Sequence, residues 1–321
     1  MAQDKFRLVT RSDFDGLVCA MLLKELDLIN DIKFVHPKDV QDGLADIKEG
    51  DIVTNLPYSK TASYVFDHHA SELVRNGRRG NYYLNPSAPS AARVVWDAFG
   101  GKERFKNVSE DLMRAVDKAD MADFTLDEII NPKGWTLLSF IMDARTGLGR
   151  FRNFRISNYQ LMMNMIDLCC DFDAEAVLNM PDVKERVDLY FEHQDNFIAQ
   201  LRRQTTVYKN LTYVDLLKEE VIYPGNRFMI YALYPETNVS MHAMWRVNGQ
   251  KIVFAMGKSI LNRTNIINIG ELLLQYGGGG HASAGTCQID LEYAMRVKEE
   301  LIEVFTNPFY NQSLQAQSPQ G

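Results

Sequence analysis

The sequence predicts an α/β protein of two domains joined by a helical connector, and three observations carry this. The first half of the 321-residue chain alternates short apolar runs with segments of helical spacing. That is the pattern of a mostly parallel sheet covered by helices. The stretch 132–204 places apolar residues at three- and four-residue intervals throughout, as helices packed on one face do. From about residue 206 strand-like runs return, with a helix, a run of four glycines and a last helix. The expected division is 1–150 for the parallel-sheet domain, 151–205 for the connector and 206–306 for a smaller α/β domain. The polar end, 307–321, is expected to be a disordered tail.

Taken in order, Phe6–Thr10 is a buried strand and LVCAMLLKEL at 17–26 a helix. Strands follow at 32–36, 51–56 and 63–66. Ser90 is placed to cap the helix AARVVWDAF, which Gly100 and Gly101 end. The Met-rich stripe of NYQLMMNMIDLCC is core packing. In the last third, strands are expected at 211–216, 228–233 and 251–256, and a helix at 267–276. Asp290 is expected to cap the final helix, which runs to about Phe305.

The bulk composition narrows the function. With 46% hydrophobic and 24% charged residues the chain is an ordinary globular one. A net charge of −7 argues against a general grip on long DNA or RNA, which needs many cations facing phosphates. It leaves room for a short anionic substrate in a local pocket. The four cysteines form no C-x-x-C pair, so zinc-ribbon and redox readings fail. Unpaired, they fit a reducing cytoplasm. Neither a signal peptide nor a membrane-spanning run is visible.

Four constellations carry chemistry. Asp13-Phe14-Asp15-Gly16 follows the first strand. Alternate residues of an extended segment point the same way, so both carboxylates can face one hard divalent cation; a solvated turn with a helix cap is the plain alternative. Asp67-His68-His69 follows the strand SYVF. One imidazole suits a metal, the other an anionic substrate. Asp117 and Asp120 end the helical segment EDLMRAV, and one of them is needed as a further ligand. Finally, Gly277-Gly278-Gly279-Gly280-His281 lets backbone N–H groups approach an anion or a flat base, with His281 as an added donor.

In this order the four motifs resemble the DHH phosphoesterase superfamily with its C-terminal DHHA1 domain, over about residues 5–305. Members include oligoribonucleases, single-strand exonucleases, cyclic-dinucleotide phosphodiesterases and exopolyphosphatase-like proteins. The resemblance implies a metal-bearing DHH domain, a substrate-gripping DHHA1 domain and a cleft between them. It matches Asp13 and Asp15 to the first motif, His68 to the metal-binding histidine and His69 to its substrate-facing neighbour. Asp67 supports them. Asp120 is assigned to the fourth motif, with Asp117 the alternate. Gly278, Gly279, Gly280 and His281 match the substrate-binding signature, and Arg263 more loosely a phosphate or base contact.

Two positions depart from the pattern. Where relatives carry a metal-bridging Asp, this chain has Asn55, which offers one oxygen and no charge. Two residues before Asp13, where relatives often carry His or Asp, it has Arg11, which cannot ligate a metal. Both losses fall on one metal site and spare Asp15, His68 and Asp120. The expectation is one Mn2+ or Mg2+ per chain, with Asn55 at most a neutral ligand and Arg11 standing in for the lost ion. Arg11 and His69 would stabilise charge on the phosphate, and Asp13 would position or deprotonate the water. The expected substrate is a very short oligonucleotide or linear dinucleotide. An exopolyphosphatase-like hydrolase, with Arg150, Arg152 and Arg155 in a basic groove, and a catalytically weak signalling-nucleotide receptor are the rivals. A homodimer is left open.

Overall fold

The computed structural model describes residues 5–246 and 249–307. These divide into two compact units, residues 5–124 with 132–190, and 125–131 with the described residues from 191 to 307. The expected connector is therefore shared between them, the division falling inside the helix Pro181–Gln204. The polar tail from residue 308 lies outside the described residues. Among these, no helix is long and apolar enough to cross a membrane.

The first unit is built on a five-stranded sheet, β1 (Phe6–Thr10), β2 (Ile29–Phe34), β3 (Asp51–Thr54), β4 (Tyr64–Asp67) and β5 (Tyr82–Leu84), in the order β2-β1-β3-β4-β5. Every pairing is parallel. Parallel sheets are covered on both faces, and the two-residue repeat divides their side chains accordingly. Leu8, Ile52 and Phe66 enter the core that holds the helix Phe14–Glu25, while Val9, Val53, Val65 and Tyr82 form a second, smaller core. The helix Phe14–Glu25 is buried without a break from Phe14 to Leu23. It is apolar all round because it packs against three other helices, Ala91–Ala98, Glu110–Asp120 and Asn158–Asp171. The expected strands 51–56 and 63–66 are thus found within two residues of their places, whereas 32–36 is shifted to Ile29–Phe34. The short edge strand β5 was not expected.

The second unit holds a six-stranded mixed sheet: β6 (Thr205–Tyr208), β7 (Leu211–Asp215), β8 (Val239–Trp245), β9 (Lys251–Lys258), β10 (Gly279–His281) and β11 (Ala284–Asp290). Its order is β10-β11-β9-β8-β7-β6, and only β7 and β8 run parallel. Three expectations are corrected here. The run 228–233 is the helix Met229–Leu233, not a strand. Asn226 turns the chain ahead of it, its Oδ1 accepting from Phe228 N and its carbonyl from Met229 N, both at 2.9 Å. The glycine run is not a loop: it contributes β10, paired with β11. A Cβ on Gly278 would lie 2.3 Å from Thr286 O, and one on Gly280, at φ +154°, 2.3 Å from Ala284 O. The glycines are there because backbone packs on backbone. Asp290 stands at the N-cap of Leu291–Thr306 without a capping bond; its carboxylate pairs with Lys251 Nζ at 3.1 Å.

Candidate metal centre

The carboxyl ends of β1 and β4 supply the first groups, as open parallel sheets place them. Asp13 ends the turn after β1 and caps the next helix, its Oδ1 accepting from Gly16 N at 2.9 Å. No side chain fits at Gly16, where a Cβ would lie 2.0 Å from Arg11 O. Asp15, 2% exposed, stands in the first helical turn. Its Oδ2 accepts from Ala91 N (2.9 Å) and its Oδ1 from Ala92 N (2.7 Å). The carboxylate thereby sits on the N-terminus of the helix Ala91–Ala98, which favours negative charge. Oδ2 keeps a lone pair for a further partner. Cys19 Sγ lies 3.9 Å from the same Oδ1.

Ser90 caps that helix as expected, accepting from Arg93 N at 3.0 Å. Its hydroxyl donates to Asp117 Oδ1 (2.7 Å), and Arg93 takes Asp117 Oδ2 from Nε (3.0 Å) and Nη2 (2.5 Å). Asp117 is thus committed to tying two helices together. Asp120, one turn further on, faces His68: Oδ2 is 2.9 Å from Nε2. His68 Nδ1 lies 3.2 Å from Ala88 O, a contact that sets the ring and leaves Nε2 forward. That Nε2 is buried and lacks a hydrogen-bond partner, since the Asp120 contact is off the line of a hydrogen bond. Ligand atoms of Asp15, His68 and Asp120 all lie within 4.8 Å of one another. Two carboxylates and an imidazole whose nearest atoms converge without bonding each other fit a divalent cation of the Mn2+ or Mg2+ type.

The electrostatics agree. Burial, then the charge of Asp120, pushes the Asp15 carboxyl up to about 8, against His68. Burial would lower His68, but the adjoining Asp120, with Asp15 and Asp67, raises it to about 9. Burial works against ionised Asp120 too, yet His68 holds its carboxyl below the ordinary range. Two carboxylates whose charges oppose each other in a buried place are a setting that a divalent cation would relieve.

The remaining predicted residues of the first unit lie around this cluster. Asp67, fully buried, accepts from Tyr82 Oη at 3.2 Å and holds His69 Nδ1 at 2.7 Å. Burial opposes the charge of His69, and Asp67 raises its pKa in spite of that. Asn55, in the left-handed region at φ +54°, donates from Nδ2 to Asp13 Oδ1 at 3.0 Å, while its own Oδ1 is buried without a partner. Arg11 Nε pairs with Asp13 Oδ2 at 2.9 Å. Burial, opposed by Arg11, raises Asp13.

Gly278, Gly279, Gly280 and His281 belong to the second unit, on and beside β10. Arg263, also there, folds back so that Nε donates to Ile260 O at 3.0 Å. Of the basic cluster, Arg155 Nε lies 3.5 Å from Asp182. Sequence reading missed Arg145, which stands in the first unit within electrostatic reach of both Asp13 and Asp120. A lone arginine in a turn gives no signal of that proximity.

No family model and no curated protein matches the chain. Solved structures do. The pGpG-specific phosphodiesterase PggH from Vibrio cholerae is 58% identical, with a TM-score of 0.81 over 93% of this chain and 98% of that one. CDC45 from Entamoeba histolytica, at 9% identity, shares the fold with a TM-score of 0.53 over 94% and 96% of the two chains. Identity of the first size, over nearly the whole of both chains, joins to the motif order read above, and the chain belongs to the DHH/DHHA1 phosphoesterase superfamily.

Proposed function

We propose that this protein hydrolyses the phosphodiester bond of a linear dinucleotide such as pGpG, with one divalent ion held by Asp15, His68 and Asp120. The observation that carries the substrate class is the 58% identity to a pGpG-specific phosphodiesterase along 98% of that chain. When bound, such an ion activates water and polarises a phosphoryl oxygen.

The chain's own residues do the rest. His69, fixed at Nδ1 by Asp67, presents its other ring nitrogen as a proton-bearing donor to a phosphate oxygen. Arg11 supplies a fixed positive charge, kept in place by Asp13. Asp13, whose pKa burial raises, is suited to orient the attacking water and accept its proton. The Gly278–Gly280 backbone and His281, on the second unit, are suited to bind an anion or a flat base. The net charge of −7 disfavours long polyanions outside the site. The test is a turnover screen of pGpG, longer oligoribonucleotides and polyphosphate with Mn2+ and with Mg2+. Turnover confined to the dinucleotide is expected. Preferred cleavage of polyphosphate would favour a phosphoanhydride hydrolase, and tight binding of pGpG without turnover a receptor.

One ion per chain is the second expectation. Asp13 Oδ1 already accepts from Gly16 N and Asn55 Nδ2, the charge of Arg11 beside Oδ2 opposes a second cation there, and Asn55 adds no charge. Two unit charges about 4 Å apart repel by about 4 kcal/mol at an effective dielectric near 20, and a divalent ion beside Arg11 would feel about twice that. Metal analysis at modest Mn2+ should give one equivalent. Arg11→Ala should lose roughly 100-fold in turnover and still bind one. Two stoichiometric ions in the parent, or a faster Arg11→Ala enzyme with two, would overturn this.

A further inference from the structure

The turn after the helix Gly134–Met142 holds an arginine to which the mechanism above gives no task. Asp143 ends that helix and caps the 3-10 turn Ala144–Thr146. Its Oδ1 accepts both from Arg145 N (2.9 Å) and from Arg145 Nε (2.7 Å). A single carboxylate oxygen thus fixes the backbone and one edge of the guanidinium. The opposite edge, Nη1 and Nη2, has no hydrogen-bond partner among the described residues, and the side chain is 55% exposed. An arginine that merely neutralises a neighbouring carboxylate usually turns its two-pronged edge to it. Here that edge is kept open.

The location is specific as well. Phe140, less than one helical turn before Asp143, meets Phe124 edge-on with centroids 4.9 Å apart. Phe124 follows the helix Glu110–Asp120 that carries the metal-site carboxylate. Burial opposes the charge of Arg145, and Asp143 foremost, then Asp13 and Asp120, raise its pKa in spite of that. A phosphodiester approaching Asp13, Asp15 and Asp120 meets three carboxylates. A nearby cation offsets that repulsion, and a guanidinium pinned at Nε presents two parallel N–H donors at the spacing of two phosphate oxygens.

We propose that Arg145 is a catalytic residue that grips the reacting phosphate, its Nη edge taking the non-bridging oxygens of the scissile diester while Asp143 holds it in place. This rests on the phosphodiesterase reading. The test compares the parent with Arg145→Ala and Arg145→Lys on pGpG and on GpG, which lacks the 5′-phosphate. Bound metal and melting temperature are measured alongside. Arg145→Ala should lose about 100-fold in kcat/KM on both dinucleotides, with metal content and melting unchanged. Added guanidinium ion should restore part of its rate. Lysine, a point charge without the fork, should recover little. A near-parental kcat/KM overturns the inference. So does a loss confined to pGpG, which would put the arginine on the 5′-phosphate, or a loss of bound metal, which would make its role structural. A parent that cleaves neither dinucleotide overturns the phosphodiesterase reading itself.

Discussion

Asp120→Ala and His68→Ala should each lower turnover of pGpG by about 1,000-fold, the upper end of what removing one transition-state-stabilising group costs, and Asp120→Ala should do so with a melting temperature of the metal-free protein close to the parent's. The Asp120 carboxylate does not hold the fold. Asp120 meets His68 off the line of a hydrogen bond, and its charge is one of the forces raising Asp15 and Asp13. Removing it relieves repulsion among carboxylates. Asp117→Ala should behave in the opposite way. It breaks the bonds to Ser90 Oγ and to Arg93, leaves a partly buried arginine unpaired, and should cost about 2 kcal/mol of stability with a smaller effect on turnover. Steady-state rates, bound-metal analysis and thermal melts on the three variants separate the roles. An active Asp120→Ala beside an inactive, well-folded Asp117→Ala would move the ligand one turn back along the helix.

The largest effect on stability is expected at Arg186. Its side chain is fully buried. Nη1 donates to Asp182 O and Glu185 Oε1, Nη2 to Ile156 O, all at 2.8 Å, and Nε and Nη2 both reach Asn158 Oδ1. The guanidinium lies 3.9 Å from the centroid of the Phe154 ring. Arg186→Ala strands these acceptors and opens a cavity, and should cost about 3–5 kcal/mol, or roughly 10 °C of melting temperature for a protein of this size. Arg186→Lys should rescue little, because an ammonium cannot satisfy acceptors on three sides of a plane. A calorimetric scan within about 2 °C of the parent would refute this.

How much of the site is readable in the sequence depends on how far each residue's partners lie. Asp13, Asp15, His68 and His69 follow strands directly, and a parallel sheet brings such positions to one edge, so local pattern and topology suffice. Asp117 and Asp120 share a helix and a charge. What separates them is Ser90 and Arg93, more than twenty residues upstream, and no local pattern shows that pairing. Arg145 is a similar case, since its meaning lies in the edge of its guanidinium left open. The fold errors have local causes. FMIYAL at 228–233 is short and apolar and suits helix or strand equally. VSMHAMW, the true strand, places Ser240 and His242 opposite the core face, where they dilute the apolar signal. The glycines of β10 carry no side chains from which a strand is read.

Asn55 has an evolutionary consequence. Its backbone, at φ +54°, lies where Asn and Asp are both at home, and a single nucleotide change converts one codon to the other. A change to aspartate therefore meets no barrier in conformation. The barrier is the neighbour: Nδ2 now donates to Asp13 Oδ1, and an aspartate would set carboxylate against carboxylate. Arg11, bound to the other oxygen of Asp13, would keep a second cation from relieving that clash. Positions 11 and 55 are thus linked through Asp13, and the effect of changing one depends on which residue stands at the other.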